Sequence, residues 1–239
     1  VNADPVAAAL DETYQRTRTA QAAASTAQIG AAAGAAELAH DAWARAGALA
    51  AASPAAPGYA CAKGCRWCCH QPIFVAAPEA IALAGELRAR FGAHGLDLLG
   101  QALAQRAARA SGEGSAWVAA WLKARVPCAF LAGDGSCAVH LDRPTVCRGW
   151  HSLSRNACEE RYIDDAAAQP PIDRASHLAA NAVLHGLADA AHAAGRDDRL
   201  YELHGAVLAA LADPSAAAAR WAAGEQVFPG IAAVSAARR

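Results

Sequence analysis

Cys61-Ala-Lys-Gly-Cys65-Arg-Trp-Cys68-Cys69-His70 sets four thiols within nine residues of a 239-residue chain. The turn from Ser53-Pro54 to Pro57-Gly58 stops the preceding segment, so this stretch reads as a loop from Tyr59 to Pro72. Thiolate metal sites need several sulfurs converging on one point, about 2.3 Å from a zinc ion. Short spacings achieve this with little loop-closure cost. Gly64 suits the tight turn required, because it takes positive φ without a Cβ clash.

A second group is spaced more widely. Cys128, Cys137, Cys147 and Cys158 have eight, nine and ten residues between them. Such gaps form no knuckle alone, but they can complete sites begun by the first group. Two four-cysteine sites would use all eight thiols, and the sequence assigns no thiol to either. In a cytosolic chain, cysteines clustered in this way point to metal before disulfides. The adjacent pair Cys68-Cys69 also bonds to itself only with strain. The expected ligand set is therefore Cys61, Cys65, Cys68, Cys69, Cys128, Cys137, Cys147 and Cys158.

Eight thiolates around two divalent ions leave a local charge of about −4, costly to bury unless neighbours offset it. Lys63, Arg66, Arg143, Arg148 and Arg155 fall inside the cysteine segments and are candidates for that task. Thiolates accept zinc, iron or an iron–sulfur cluster. Only Cys65 and Cys68 have the two-residue gap of a zinc knuckle. Cys61, Cys65 and Cys68 have the C-x3-C-x2-C spacing with which radical enzymes hold a four-iron cluster, in a strand-rich barrel that this chain does not predict. Zinc is expected before iron.

Working outward, residues 5–52 predict helix, with Leu10, Tyr14, Leu38 and Trp43 as sparse anchors and Gly30 and Gly34 breaking the run. Ile73-Phe74-Val75 predicts a short extended piece. Pro78-Glu79 opens a helix to about Phe91. Another is expected over residues 96–125, interrupted at Gly112 and Gly114, with Trp117 and Trp121 on one face. The second cysteine group lacks helical periodicity. Helices are then expected over 173–194, 197–211 and 215–223, with the last fifteen residues frayed. No strand set for a parallel sheet is visible. The expected fold is all-α, with alanine-rich helices around an irregular cysteine-rich metal-binding region. The segments are an N-terminal helical region (1–52), the cysteine-cluster domain (59–160) and a C-terminal helical region (171–239), read as one compact unit.

Hydrophobic residues make up 55% of the chain, but much of that is alanine, which buries little area per residue. Closely approaching helices with thin side-chain layers follow. A formal net charge of −1 argues against a concentrated basic face for nucleic acid. The apolar runs are too short for a membrane span. Asp4, Asp11 and Glu12 fall where a signal peptide would carry basic and leucine-rich segments. Cytoplasmic location is the expectation, with no nucleic-acid or membrane partner and a protein partner left open.

These segments resemble the cysteine-cluster proteins called the YkgJ family, described as a zinc- or iron-chelating domain. The resemblance lies in Cys61-Ala-Lys-Gly64-Cys65-Arg-Trp-Cys68-Cys69, Ile73-Phe74-Val75 and Pro78-Glu79-Ala80. It continues in Pro127-Cys128-Ala-Phe130-Leu131, Gly135-Ser-Cys137-Ala-Val-His140, Arg143-Pro144-Thr-Val-Cys147-Arg148, and a last cysteine, Cys158. It covers about 100 residues and leaves the helical flanks outside. His140 departs from it, standing where an aromatic residue, usually tyrosine, is expected. The resemblance implies metal chelation. Some relatives carry oxidoreductase labels, and the domain is similar to part of a flagellin lysine methylase; neither reaction transfers on motifs alone.

Other residues yield less. His70 and His151 are possible replacement ligands, though ordinary loop histidines explain both. His177, Asn181, His185, Asp189 and His192 form one polar helix stripe, which reads as a solvated face. The tryptophans Trp67, Trp117, Trp121 and Trp150 read as packing residues. No serine–histidine–acid set, phosphate loop or dinucleotide fingerprint is present, and no catalytic residue is assigned. Three functions compete: a metal-binding protein whose cluster is structural or serves metal handling, an iron–sulfur oxidoreductase or methylase-type modifying enzyme, and an interaction module with the alanine-rich helices as its docking surface.

Overall fold

Asp4 starts the first helix by accepting the Val6 N–H, with Pro5 at the first helical position, where a missing N–H costs nothing. In the computed structural model, which describes residues 4–110 and 116–235, α1 runs Pro5–Gly30 and α2 runs Ala35–Ala51. The break falls at the expected glycines. After the cysteine loop come β1 (Phe74–Ala76), α3 (Ala77–Arg90), α4 (Ala93–Ala107) and α5 (Ala116–Ala124). The expected interruption at Gly112 and Gly114 lies outside the described residues. The second cysteine segment carries two short helices, α6 (Thr145–Arg148) and α7 (Arg155–Ile163). The chain ends with α8 (Arg174–Ala193), β2 (Arg199–Glu202), α9 (Leu203–Ala212), α10 (Pro214–Ala222) and β3 (Ala233–Ser235). The protein is thus mostly helical, with ten α-helices among the described residues. None of these is long and apolar enough to cross a membrane.

The body centres on α3. Residues Ala77 through Ala84 are all buried, Glu79 among them, so the first half of this helix is enclosed on every side. It packs against α2, α9 and α10. Leu38 and Trp43 of α2, Leu83 and Leu87 of α3, Leu184 and Leu187 of α8, Leu203 of α9 and Trp221 of α10 share one core. A smaller cluster joins Trp117 and Trp121 to Val126.

Two expectations need correction. Residues 197–211 are not one helix. Glu202 accepts hydrogen bonds from the N–H groups of His204 (3.0 Å) and Gly205 (2.8 Å), which starts α9 there and leaves Arg199–Glu202 extended. Nor are the last fifteen residues frayed throughout. Val227 and Phe228 are buried, and the Val227 N–H donates to buried Asp197 at 2.8 Å. A three-stranded antiparallel sheet results, β1-β2-β3, with Val75 opposite Tyr201 and Leu200 opposite Val234. The fold is therefore not purely α.

The polar stripe on α8 is solvated only in part: His192 is exposed beside Asp198, whereas His185 and Asp189 seat α1. Arg18 reaches Asp189 through two hydrogen bonds, 2.6 and 2.8 Å. The Tyr14 hydroxyl lies 2.5 Å from His185 Nδ1, and Gln21 and Ser25 bond to each other in the buried interface. Further along, His177 packs edge-on against Trp150. Gly186 permits the approach: a Cβ there would stand 2.5 Å from the Arg18 carbonyl oxygen.

Replacing Gly186 by alanine should gain about 1 kcal/mol of helix propensity. It should lose about 1–3 kcal/mol by forcing α1 away. Net destabilisation in urea unfolding is expected, with earlier proteolytic release of α1. Burial, then the nearby Arg18 charge, lowers the His185 pKa, with Asp189 opposing. The unfolded chain, titrating near about 6.5, then takes up a proton that the native state refuses. This stability contribution is complete above that pH and declines as pH falls toward the folded value. His185→Gln should flatten part of the loss in urea midpoint between pH 7.5 and 5.5.

Candidate metal centre

The first cysteine segment is built as two tight turns. The Cys65 N–H donates to the Ala62 carbonyl at 2.9 Å, and Gly64 takes φ +84°. A 3-10 turn over Trp67–His70 then carries Cys68 and Cys69. The second segment opens as a small hairpin, in which Leu131 bridges Cys137 and the Ala132 N–H donates to the Ser136 carbonyl at 2.8 Å. Asp134 fixes its tip by accepting from the Ser136 N–H and hydroxyl. The two segments meet tip to tip: a Cβ on Gly135, at φ +80°, would stand 2.8 Å from the Gly64 carbonyl oxygen. The Cys128 N–H also donates to the Cys69 carbonyl at 2.7 Å.

Helix α6 brings in Cys147. Its first N–H, from Thr145, donates to Glu79 at 2.7 Å. Glu79 also accepts from the Trp43 indole (2.9 Å) and the Ala76 N–H (3.1 Å). Cys158 sits on α7, which is capped by Ser154 and packs on the Trp67–His70 turn. The Ser152 N–H lies 3.4 Å from Cys61 Sγ.

Together these elements enclose a cavity of about 710 Å3. Cys61, Cys65, Cys68, Cys69, Cys128, Cys137 and Cys147 all line it, and Cys158 alone of the eight does not. All eight are free thiols. The remaining wall mixes apolar side chains such as Ile73, Phe130 and Leu203 with His140, His151, Lys63 and Arg143. Among the described residues, no three histidine, cysteine or carboxylate side chains stand close enough to hold an ion as placed.

The thiols fall into two neighbourhoods. Cys69, Cys128, Cys137 and Cys147 each lie within the electrostatic reach of the other three. Cys61, Cys65 and Cys158 form a second set. Cys68 stands between, hydrogen-bonded to Cys69 and coupled to Cys61 and Cys147. Burial pushes the Cys128 thiol up to about 12. Burial and then the neighbouring cysteines raise Cys147 as well, against the opposing charge of Arg143. The Cys68 hydrogen bond, with a smaller contribution from Arg143, lowers Cys69. Burial and mutual repulsion thus favour the protonated forms of Cys128 and Cys147.

Of the candidate offsetting charges, Lys63 and Arg143 reach the cavity wall. Arg66 lies over Trp67, and Arg148 lies over Trp43 while holding the Arg143 carbonyl at 2.9 Å. His140 meets Arg143 at 2.6 Å. His151 lines the cavity and stacks on Tyr59 at 4.2 Å. His70 does not line it; its ring packs on Tyr162, and its carbonyl accepts from the Trp121 indole at 3.2 Å.

Glu202 and His204 support the floor of the cavity, and no motif announces them. His204 is fully buried between Trp121 and Phe130. Its Nε2 accepts the Ala129 N–H at 3.2 Å. That places the ring proton on Nδ1, 2.6 Å from Glu202, so the pair holds the backbone next to Cys128. No family model matches the chain, and no curated protein or solved structure matches it.

His204→Ala should empty this space and leave the Ala129 N–H unpaired. A loss of about 2–4 kcal/mol in urea unfolding is expected, with faster alkylation of Cys128 by iodoacetamide located by peptide mass.

Proposed function

We propose that this protein is a thiolate metal chelator, with Cys61, Cys65, Cys68, Cys69, Cys128, Cys137, Cys147 and Cys158 as the ligands. One observation carries the reading: seven cysteines from two segments remote in sequence line a single cavity. The donor set is soft and fits zinc or iron. Lys63 and Arg143 on the same wall suit the excess negative charge of a thiolate cluster. The likeness of the cysteine segments to the YkgJ family supports the same reading, as do the eight thiols standing free of disulfides.

A zinc ion held by four thiolates has no open position for water and acts as a staple between loops. Zinc in a structural or metal-handling role is the favoured form. The chain's own contribution is to hold two cysteine segments tip to tip, to seat α6 on Glu79 and to fix the Cys128 backbone through His204.

The volume of the cavity favours a second reading. About 710 Å3 lies within the range of small-molecule pockets, more than ions require. His151 and Tyr59 on its wall would then face a substrate beside an iron–sulfur centre, as an oxidoreductase or methylase-type enzyme needs.

Elemental analysis of anaerobically purified protein, with a visible spectrum of the same sample, separates the readings. Near-stoichiometric zinc without colour supports the first. Iron with acid-labile sulfide and a brown absorption that bleaches with dithionite supports the second. Cys65→Ser and Cys68→Ser should each lose metal and melt earlier, because metal-binding energy is also folding energy. Retained metal with unchanged melting in both variants would overturn chelation by this cluster.

A further inference from the structure

We infer that the cavity binds an organic acid: a small carboxylate with an apolar body, clamped by the Arg143 guanidinium and met by His151 through a hydroxyl or amino hydrogen of the ligand. This deepens the second reading by naming its ligand class. It rests on that reading's cavity and not on metal.

Lys63 and Arg143 line the cavity, and no aspartate or glutamate does. Asp142, next to Arg143 in sequence, is taken by Arg90. Asp134, an electrostatic neighbour of Lys63, sits on the hairpin tip and not on the wall. The Arg143 backbone is fixed, since its carbonyl accepts from Arg148 Nε at 2.9 Å. One side of its guanidinium is occupied, with Nη1 2.6 Å from His140 Nε2. The other side is open: Nε is buried and finds no acceptor among the described residues. A buried charged donor left unpaired is costly. The Nε and Nη2 hydrogens of an arginine form the fork that takes both oxygens of a carboxylate in one plane. Thiolates would offset the charge of Arg143 without offering that planar pair.

His151 stands on the same wall with its ring held in place. Tyr59 stacks on it at 4.2 Å, nearly parallel, and the Tyr59 hydroxyl is tied to Asp173 at 2.6 Å. The Ser176 hydroxyl donates to the Gly149 carbonyl at 3.2 Å, so its oxygen, 3.3 Å from His151 Nδ1, is left to accept. The ring proton therefore sits on Nδ1, and Nε2 is a bare acceptor. Ile73, Phe130, Val139 and Leu203 give the wall its apolar surface. A mostly apolar wall with a few placed polar groups is the composition of a small-molecule site, and about 710 Å3 has room for a body the size of one aromatic ring.

The test is isothermal titration of the full, reduced chain with phenyllactate, as purified and again after a chelator has removed any metal. Saturable binding is expected in both states. Phenyllactamide, which keeps the shape and loses the charge, should bind at least about tenfold more weakly. Arg143→Lys keeps the charge and loses the fork, and should weaken phenyllactate at least about tenfold. His151→Phe keeps a ring on Tyr59 and loses the acceptor; it should weaken phenyllactate and leave hydrocinnamate, which lacks the hydroxyl, unchanged. Should Arg143→Lys not fold, the amide and His151→Phe still decide. No saturable binding of phenyllactate up to about 10 mM, equal affinity for acid and amide, or binding confined to the metal-loaded chain overturns the carboxylate site. Metal content and colour of the same samples judge the other readings separately. A chain that holds metal and refuses phenyllactate overturns this site alone, whereas a colourless chain that binds it keeps the site and overturns the iron–sulfur reading.

Discussion

Glu79 is buried in α3, and its two oxygens accept the Trp43 indole N–H, the Ala76 N–H and the Thr145 N–H. A buried carboxyl group without partners would cost several kcal/mol, and three donors from three parts of the chain offset that cost. They also fix α2, the start of α3 and α6 relative to one another. The position of Cys147 follows from this junction. So does the course of residues 140–148, since Arg148 lies over Trp43 and holds the Arg143 carbonyl.

Small residues allow the frame around this junction to close up. A Cβ on Gly149 would stand 2.4 Å from the Ala180 side chain, so α6 presses directly onto α8. Gly186 does the same for α1. Helices that approach so closely bury less area per residue than leucine-rich ones, and directional polar contacts supplement them: Arg18 with Asp189, Asp197 with Tyr201 and Val227, and Asp173 with Ser53 and Tyr59. The irregular cysteine loops are mounted on this frame, an arrangement in which scaffold rigidity positions functional loops.

Burial and charge oppose each other inside the cavity. Burying Cys128 and Cys147 resists ionisation, and placing four thiols within reach of one another resists it further. Arg143 is the cavity-wall group that acts against both, favouring the thiolates of Cys69, Cys137 and Cys147. Sequence inspection put five basic residues forward for this role. The fold brings Lys63 and Arg143 to the wall and spends Arg66 and Arg148 on aromatic faces.

Local chemistry is what the sequence by itself determined. Proline and glycine positions delimit the early helices, Gly64 marks a turn that needs positive φ, and cysteine spacing marks the segments that gather round one cavity. These features depend on near neighbours in the chain. Tertiary structure decided the rest, because long-range packing has no local signature. His185 and Asp189 on α8 read as part of a wet face until α1 covers them. Leu200 and Tyr201 read as helix until pairing with β1 and β3 and the Glu202 cap extend them. Glu79, Glu202 and His204 read as ordinary residues until folding buries them against donors from distant segments. The division of the thiols into neighbourhoods belongs to this second class, since it depends on where α6, α7 and the hairpin come to rest and not on the gaps between cysteines.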